Sequence, residues 1–327
     1  MKNRKILFYI LVFVTFLAIS ILLTKRLIQN DTFYTVKVGE SILKYGVDMK
    51  DHFSWIPNLS YTYPHWLYDL FVFCLYDVGG FGILHISTVI VGFILLMTMY
   101  CFTNKLVNNK AISYVLVTFY SFALHGFFAI RAQMISYIAL LVILYSIEML
   151  RQTGNKRYYI YLFLSSLIIA NTHLAIWLFI LVLFLPFIVQ DIIYLLVKKF
   201  KIKFVEKFNV EIEKSKLKIT LIGLLCCFIT GFMTPNFLVP FTYFVNTYKG
   251  ISVKVISEHM PLVINYREEF YCFILLFIII LLFKKTKIKL RDLFMICGLG
   301  LLTFMSFRNI SLFFTLSIFS FARLCNE

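Results

Sequence analysis

Eight residues carry side chains suited to acid–base or phosphate chemistry: Asp31, Asp51, His52, His65, Arg131, His173, Glu258 and Arg308. A carboxylate such as Asp31 can take a proton from a hydroxyl or hold a divalent cation. Arg131 and Arg308 present the planar fork that clamps phosphate oxygens. A histidine such as His173 can donate or accept a proton near neutral pH. Each residue also has a plainer reading. Asn30-Asp31-Thr32 is good helix-capping chemistry. Arg131 can snorkel from a membrane edge. Turn formation accounts for Asp48 and Asp51. His65 sits beside Trp66, an interfacial anchor type. Asp51 with His52, or Asp31 with Asp51, could hold magnesium or manganese. Arg308 and the pair Asn171 and His173 are harder to dismiss, because polar groups in apolar helices are costly and need a partner or a cavity.

The setting explains why these residues stand out. Hydrophobic residues make up 61% of the 327-residue chain and charged residues 15%. Mean hydropathy is +0.87. Soluble domains carry about 25% charged residues. The fold class is therefore an all-α integral membrane protein. A transmembrane barrel would alternate over segments of about ten residues, whereas these apolar runs are continuous. The seven cysteines make no metal-ligand spacing and read as small apolar fillers. No Walker loop, HExxH, GxSxG or CxxC pair is present, which argues against ATP-driven transport and zinc-protease chemistry in their usual forms.

About ten transmembrane helices are expected. The first run, Ile6 to Thr24, follows Lys2, Arg4 and Lys5 and reads as a retained helix with a cytoplasmic N-terminus. Others lie near 82–103, 111–129, 132–150, 158–175, 176–196, 217–237, 269–283, 293–307 and 309–323, the last two divided at Arg308. Alternating them puts 22 Lys and Arg inside against 10 outside, with 7 and 9 acidic residues respectively. That is a strong positive-inside bias. The net charge of +16 is thus a topology signal and a contact for anionic lipid heads, and nucleic acid is not an expected partner. The candidate residues gather on the outer side.

The elements that must position them lie mainly in the first outer loop, about 25–81. Asp31 to Glu40 reads as a short helix ending near Tyr45-Gly46. Trp66 to Tyr76 reads as an interfacial helix, broken by Gly79-Gly80 before the second span. The second outer loop, about 238–268, carries Glu258 and His259, and the cytoplasmic loop at about 197–217 is basic. One transmembrane domain, 1–327, is expected.

The order of these residues resembles the GT-C class of polytopic glycosyltransferases. The resemblance is to bacterial members related to protein O-mannosyltransferases and the lipid A aminoarabinose transferase. It rests on Asp31-Thr-Phe-Tyr-Thr-Val-Lys-Val-Gly39-Glu40, Asp51-His-Phe-Ser-Trp55, His65-Trp66-Leu67, Arg131-Ala-Gln-Met-Ile-Ser-Tyr137, Asn171-Thr-His-Leu174, Thr234-Pro-Asn-Phe237, Glu258 and Arg308-Asn309. Departures are Ala132 for proline, Leu174 for glycine, Thr234 and Phe237 for asparagine and glycine, and His259 after Glu258 for tryptophan.

The resemblance implies a GT-C-like bundle in a bacterial plasma membrane, with a structured first outer loop and the site on the extracytoplasmic face. It implies inverting transfer of one sugar from a polyprenyl-phosphate donor to a lipid-linked glycan, a cell-surface polymer or a protein. Asp31 would act as base. Arg131, His173 and Arg308 would hold the donor phosphate. Asp51, His52, His65 and Glu258 would position acceptor or metal. A polysaccharide polymerase or ligase, a lipid-linked-sugar flippase or transporter, and a non-catalytic scaffold are the alternatives.

Overall fold

The computed structural model describes residues 2–24, 29–56, 59–201, 210–249, 259–262, 268–283 and 287–326. Helices dominate. In chain order they are α1 (Lys2–Leu23), α2 (Asn30–Tyr45), α3 (Trp66–Val107), α4 (Lys110–Ala123), α5 (Gln133–Thr153), α6 (Arg157–Thr172), α7 (Leu174–Leu183), α8 (Leu185–Phe200) and α9 (Leu217–Ile229). Then follow α10 (Val239–Lys249), α11 (Glu268–Phe283), α12 (Leu290–Met305), α13 (Ile310–Leu316) and α14 (Ile318–Asn326). One departure from an all-helical chain is a two-residue parallel pair, β1 (Val210–Glu211) with β2 (Ile288–Lys289).

Among the described residues, four helical stretches are long and apolar enough to cross a membrane: Arg4–Leu23, Trp66–Val107, Gln133–Thr153 and Leu174–Phe200. The other apolar runs form shorter helices, such as the 14-residue α4 and the 7-residue α13. Local chemistry cuts them. A tight turn at Thr230–Phe232 ends the run that begins with α9. Another, Phe307–Asn309, divides the last run at Arg308 as the sequence suggests.

Glycine shapes the first loop. The Gly46 N–H closes α2 on the Ile42 carbonyl at 2.8 Å with φ at +75°. With ψ at −171°, the residue lies in a positive-φ region open essentially to glycine. At the corner inside α3, Gly80 has φ +60° and ψ −152°, a region open essentially to glycine. The expected break at Gly79-Gly80 therefore forms. It joins a first helical segment, from Trp66, to a second that runs to Val107. At Gly39 α2 crosses this first segment so closely that a Cβ would lie 2.2 Å from the Asp69 backbone oxygen.

The α5 helix is the axis of the molecule. Most of its residues are buried, and its two ends carry different chemistry. The far end holds a dense set of ion pairs. Arg151 donates to Asp191 Oδ2 at 2.6 Å and Oδ1 at 2.9 Å. Glu148 pairs with Arg291 and Arg323, each at 3.0 Å. Arg291 also reaches Glu213 at 2.7 Å, and Arg323 Nε donates to Asp292 Oδ2 at 2.8 Å. Phe187 takes both the Arg151 and Arg291 guanidinium groups against its ring, at 5.5 and 5.8 Å. Arg151, Arg291 and Arg323, read from sequence as lipid-facing topology charges, are instead withdrawn into the bundle. Each has a carboxylate within reach, which offsets the cost of leaving water. Between the two ends the core is aromatic, with Tyr120, Phe273, Phe313 and Phe321 packed edge to face or tilted at 4.2 to 5.4 Å.

Candidate functional site

The near end of α5 collects the lone charges. Arg131 lies just before the helix, and its Nη2 meets Asp31 Oδ2 at 2.6 Å. Asp31 sits in the first turn of α2, but the residue at the N-cap is Gln29, and no side chain caps the helix. The capping reading is therefore corrected: the Asp31 carboxylate crosses to Arg131 instead. Both partners keep contact with solvent, at 61% exposure for Asp31 and 29% for Arg131.

His173 lies at a break between α6 and α7, with φ −156° and ψ 71°. The break frees the Leu174 N–H, which donates to the Pro64 carbonyl at 2.9 Å. Asn236 Nδ2 donates to the Tyr63 carbonyl at 3.0 Å, and Trp66 Nε1 donates to Asn171 Oδ1 at 3.0 Å. Three hydrogen bonds thus moor the segment Tyr63 to Trp66, and with it His65. Asn171 also donates to the Leu167 and Met233 carbonyls at 2.9 and 3.1 Å. The polar partners expected for Asn171 are present, and its role is to hold the loop in place.

The moored His65 ring stands 5.1 Å from the His173 ring, centroid to centroid. His173 Nδ1 bonds to Ser136 Oγ at 2.8 Å. Burial, reinforced by the positive charge of Arg308 and opposed by Asp31, pushes the His65 pKa down to about 4. At neutral pH His65 is therefore an uncharged donor or acceptor. Arg308 comes from the turn after α12 and faces Gln133, the first residue of α5. With its amide oxygen toward the guanidinium, Gln133 accepts from Arg308 Nη2 at 2.8 Å and Nε at 3.0 Å.

Beside these groups is a shallow, open cleft. It lies between the two segments of α3 and the start of α5. Tyr68, Phe71, Val72, Val91 and Met134 line it, and Arg131 stands in its wall. A cleft of apolar walls with a cation in its wall suits an amphiphile with an anionic head.

Asp31, His65, Arg131, His173 and Arg308 thus belong to one region. Asp51 and His52 are used otherwise. Asp51 Oδ1 accepts from the Phe53 and Ser54 backbone N–H groups at 2.7 and 3.1 Å, the turn chemistry of a short aspartate. His52 Nε2 pairs with Asp48 at 2.9 Å, and its ring stacks on Tyr45 at 4.1 Å. His52 therefore pairs with Asp48 rather than with Asp51. Among the described residues no three His, Cys, Asp or Glu side chains are grouped to hold a metal ion. Glu258 lies outside the described residues. Gln133 and Ser136 are new to the site. Their signal in the sequence is the spacing of three on α5, which puts both on one helix face.

No protein-family model matches the chain, and no curated protein matches it. What fold and site define is a helical protein with four membrane-length helices among its described residues, carrying a polar cluster and an apolar cleft at one end of α5.

Proposed function

We propose that the protein is a multi-pass glycosyltransferase that moves a sugar from a polyprenyl-phosphate donor to an acceptor hydroxyl. Its site would lie on the extracytoplasmic face of a bacterial plasma membrane, and the shorter apolar helices would complete a bundle of about ten spans. Acceptors would be a lipid-linked glycan, a cell-surface polymer or a protein. The observation that carries the reading is the placement of guanidinium groups near an apolar cleft. Arg131 stands in the cleft wall and keeps contact with solvent beside Asp31. Arg308, in the same region, faces an amide. Such groups beside apolar walls fit a phosphodiester on a long isoprenoid tail.

In the reaction, the acceptor oxygen attacks the anomeric carbon from the face opposite the phosphate. The C–O bond to phosphate breaks, and its electron pair leaves with the lipid phosphate. Asp31 takes the acceptor proton. Arg308 and Arg131 stabilise the charge gathering on the leaving phosphate, and His173 and His65 supply neutral hydrogen-bonding edges. No step is routed through a metal, because the carboxylates Asp31 and Asp51 serve different elements.

The test is a reconstituted assay with radiolabelled polyprenyl-phosphate sugars and a membrane extract as acceptor. Wild type is expected to transfer label, and Asp31→Asn to fall by about 100-fold or more, the usual loss of a general base. Full activity in Asp31→Asn would sink the base assignment. No transfer by wild type, with the carriers still bound, would favour a flippase, a polymerase using other donors, or a scaffold.

A further inference from the structure

The arginines of this molecule allow an internal comparison. Among the described residues, five are withdrawn at least partly from solvent: Arg131, Arg151, Arg291, Arg308 and Arg323. Four of these have a carboxylate partner at 2.6 to 3.0 Å, counting Asp31, Asp191, Glu148 and Glu213. Arg308 alone of the five is held by an amide. Gln133 is 6% exposed, so its oxygen has to find a donor inside the protein, and two guanidinium N–H groups converge on it. The other three of the five guanidinium donors stay free of that contact.

A glutamate would fit the same space and make a stronger, bidentate pair. It would also cancel the charge. An amide gives the orientation without the neutralisation. We propose that Gln133 is a positioning residue that aims the Arg308 guanidinium while leaving its charge available to an anionic ligand. The bland reading, a residue that only packs the start of α5, predicts that the neutral Gln133→Met leaves phosphate binding unchanged. The inference rests on the anion-binding reading of the site, though not on sugar transfer itself.

The experiment uses the full-length protein in lipid nanodiscs. It measures binding of undecaprenyl phosphate and of neutral undecaprenol to wild type, Gln133→Glu, Gln133→Met and Arg308→Gln. Wild type is expected to prefer the phosphate by tenfold or more. Gln133→Glu should lose most of that preference, as Arg308→Gln does, while binding of the alcohol stays unchanged. Gln133→Glu with wild-type preference would overturn the role of Gln133. Equal binding of phosphate and alcohol by wild type would instead overturn the anion reading beneath it. Should Gln133→Glu not elute as a folded protein, Gln133→Met decides, being neutral and of similar size. Phosphate binding weakened several-fold supports the orienting role, and unchanged phosphate binding overturns it.

Discussion

Replacing Asp191 by asparagine should be among the most destabilising single-atom-scale changes available in this protein. Asp191 is fully buried and its partner Arg151 is 3% exposed. The carboxylate accepts from both Arg151 Nη atoms, at 2.6 and 2.9 Å, and from the Lys216 backbone N–H at 3.2 Å. Asparagine keeps the volume and some of the hydrogen bonding but removes the charge, which strands a guanidinium in the interior. Breaking a buried pair from one side costs about 3–5 kcal/mol. Thr220, which accepts from Arg151 Nη1 at 2.6 Å, and the Phe187 face soften the loss. A value of about 3 kcal/mol is therefore expected. The exposed pair Asp31–Arg131 sets the contrast: Asp31→Asn should cost under about 1 kcal/mol. Removing both charges, in Asp191→Asn with Arg151→Met, should recover more than half of the loss, because the desolvation cost disappears with the pair. The assay is a denaturant titration in detergent micelles, read by the emission of buried Trp177. The reasoning fails if Asp191→Asn is no less stable than Asp31→Asn, or if the double variant is worse than the single.

Two further outcomes follow from the near end. Gly39→Ala would place its Cβ 2.2 Å from the Asp69 backbone oxygen and 2.5 Å from Phe73 Cβ. Backbone has to move, so a loss of about 1–3 kcal/mol is expected, together with reduced transfer as α2 carries Asp31 away from Arg131. An unchanged melting temperature would refute this packing. For His65 the folded pKa of about 4 lies below the ordinary 6.5. The unfolded chain therefore binds more protons between those values, and stability is complete above pH 6.5, falls as pH drops toward 4, and levels off below. Melting temperatures measured from pH 3.5 to 7.5 should show that slope in wild type and a flatter one in His65→Asn; equal slopes would rule His65 out as its source.

The parts of this design written in local chemistry were legible in the sequence. The helix ending at Tyr45-Gly46, the corner at Gly79-Gly80 and the interruption at Arg308 all depend on a few adjacent residues, and all form where expected. What depends on neighbours far along the chain was not legible. Basic residues flanking apolar runs look alike whether they face lipid heads or, like Arg151 and Arg323, turn inward onto a carboxylate 40 or 175 residues away. Asp51 and His52 sit in a polar string that suggested shared chemistry, yet each takes a different partner. Gln133 and Ser136 lay inside a recognised string of residues, but only the packing of α5 against the Arg308 turn and the His173 break gives them work. Counting spans from apolar runs also overstates their length, since a run carries no mark of where buried helices stop and turn.

The placement of α13 and α14 has a consequence for biogenesis. Ser317, between them, bonds to Tyr120 at 3.2 Å, and Asn326 bonds to Asn109 and to the Val107 carbonyl, each at 3.0 Å. These contacts join segments separated by 197 to 219 residues. At about 5–20 residues per second, ten seconds or more of synthesis separate α4 from the helices that cover it. During that interval the faces of α3 and α4 around Val107 and Tyr120 stand uncovered. Lipid, or an insertion chaperone, has to occupy those faces and then give way. The final closure of the bundle is thus an exchange of that temporary cover for the chain's own last helices.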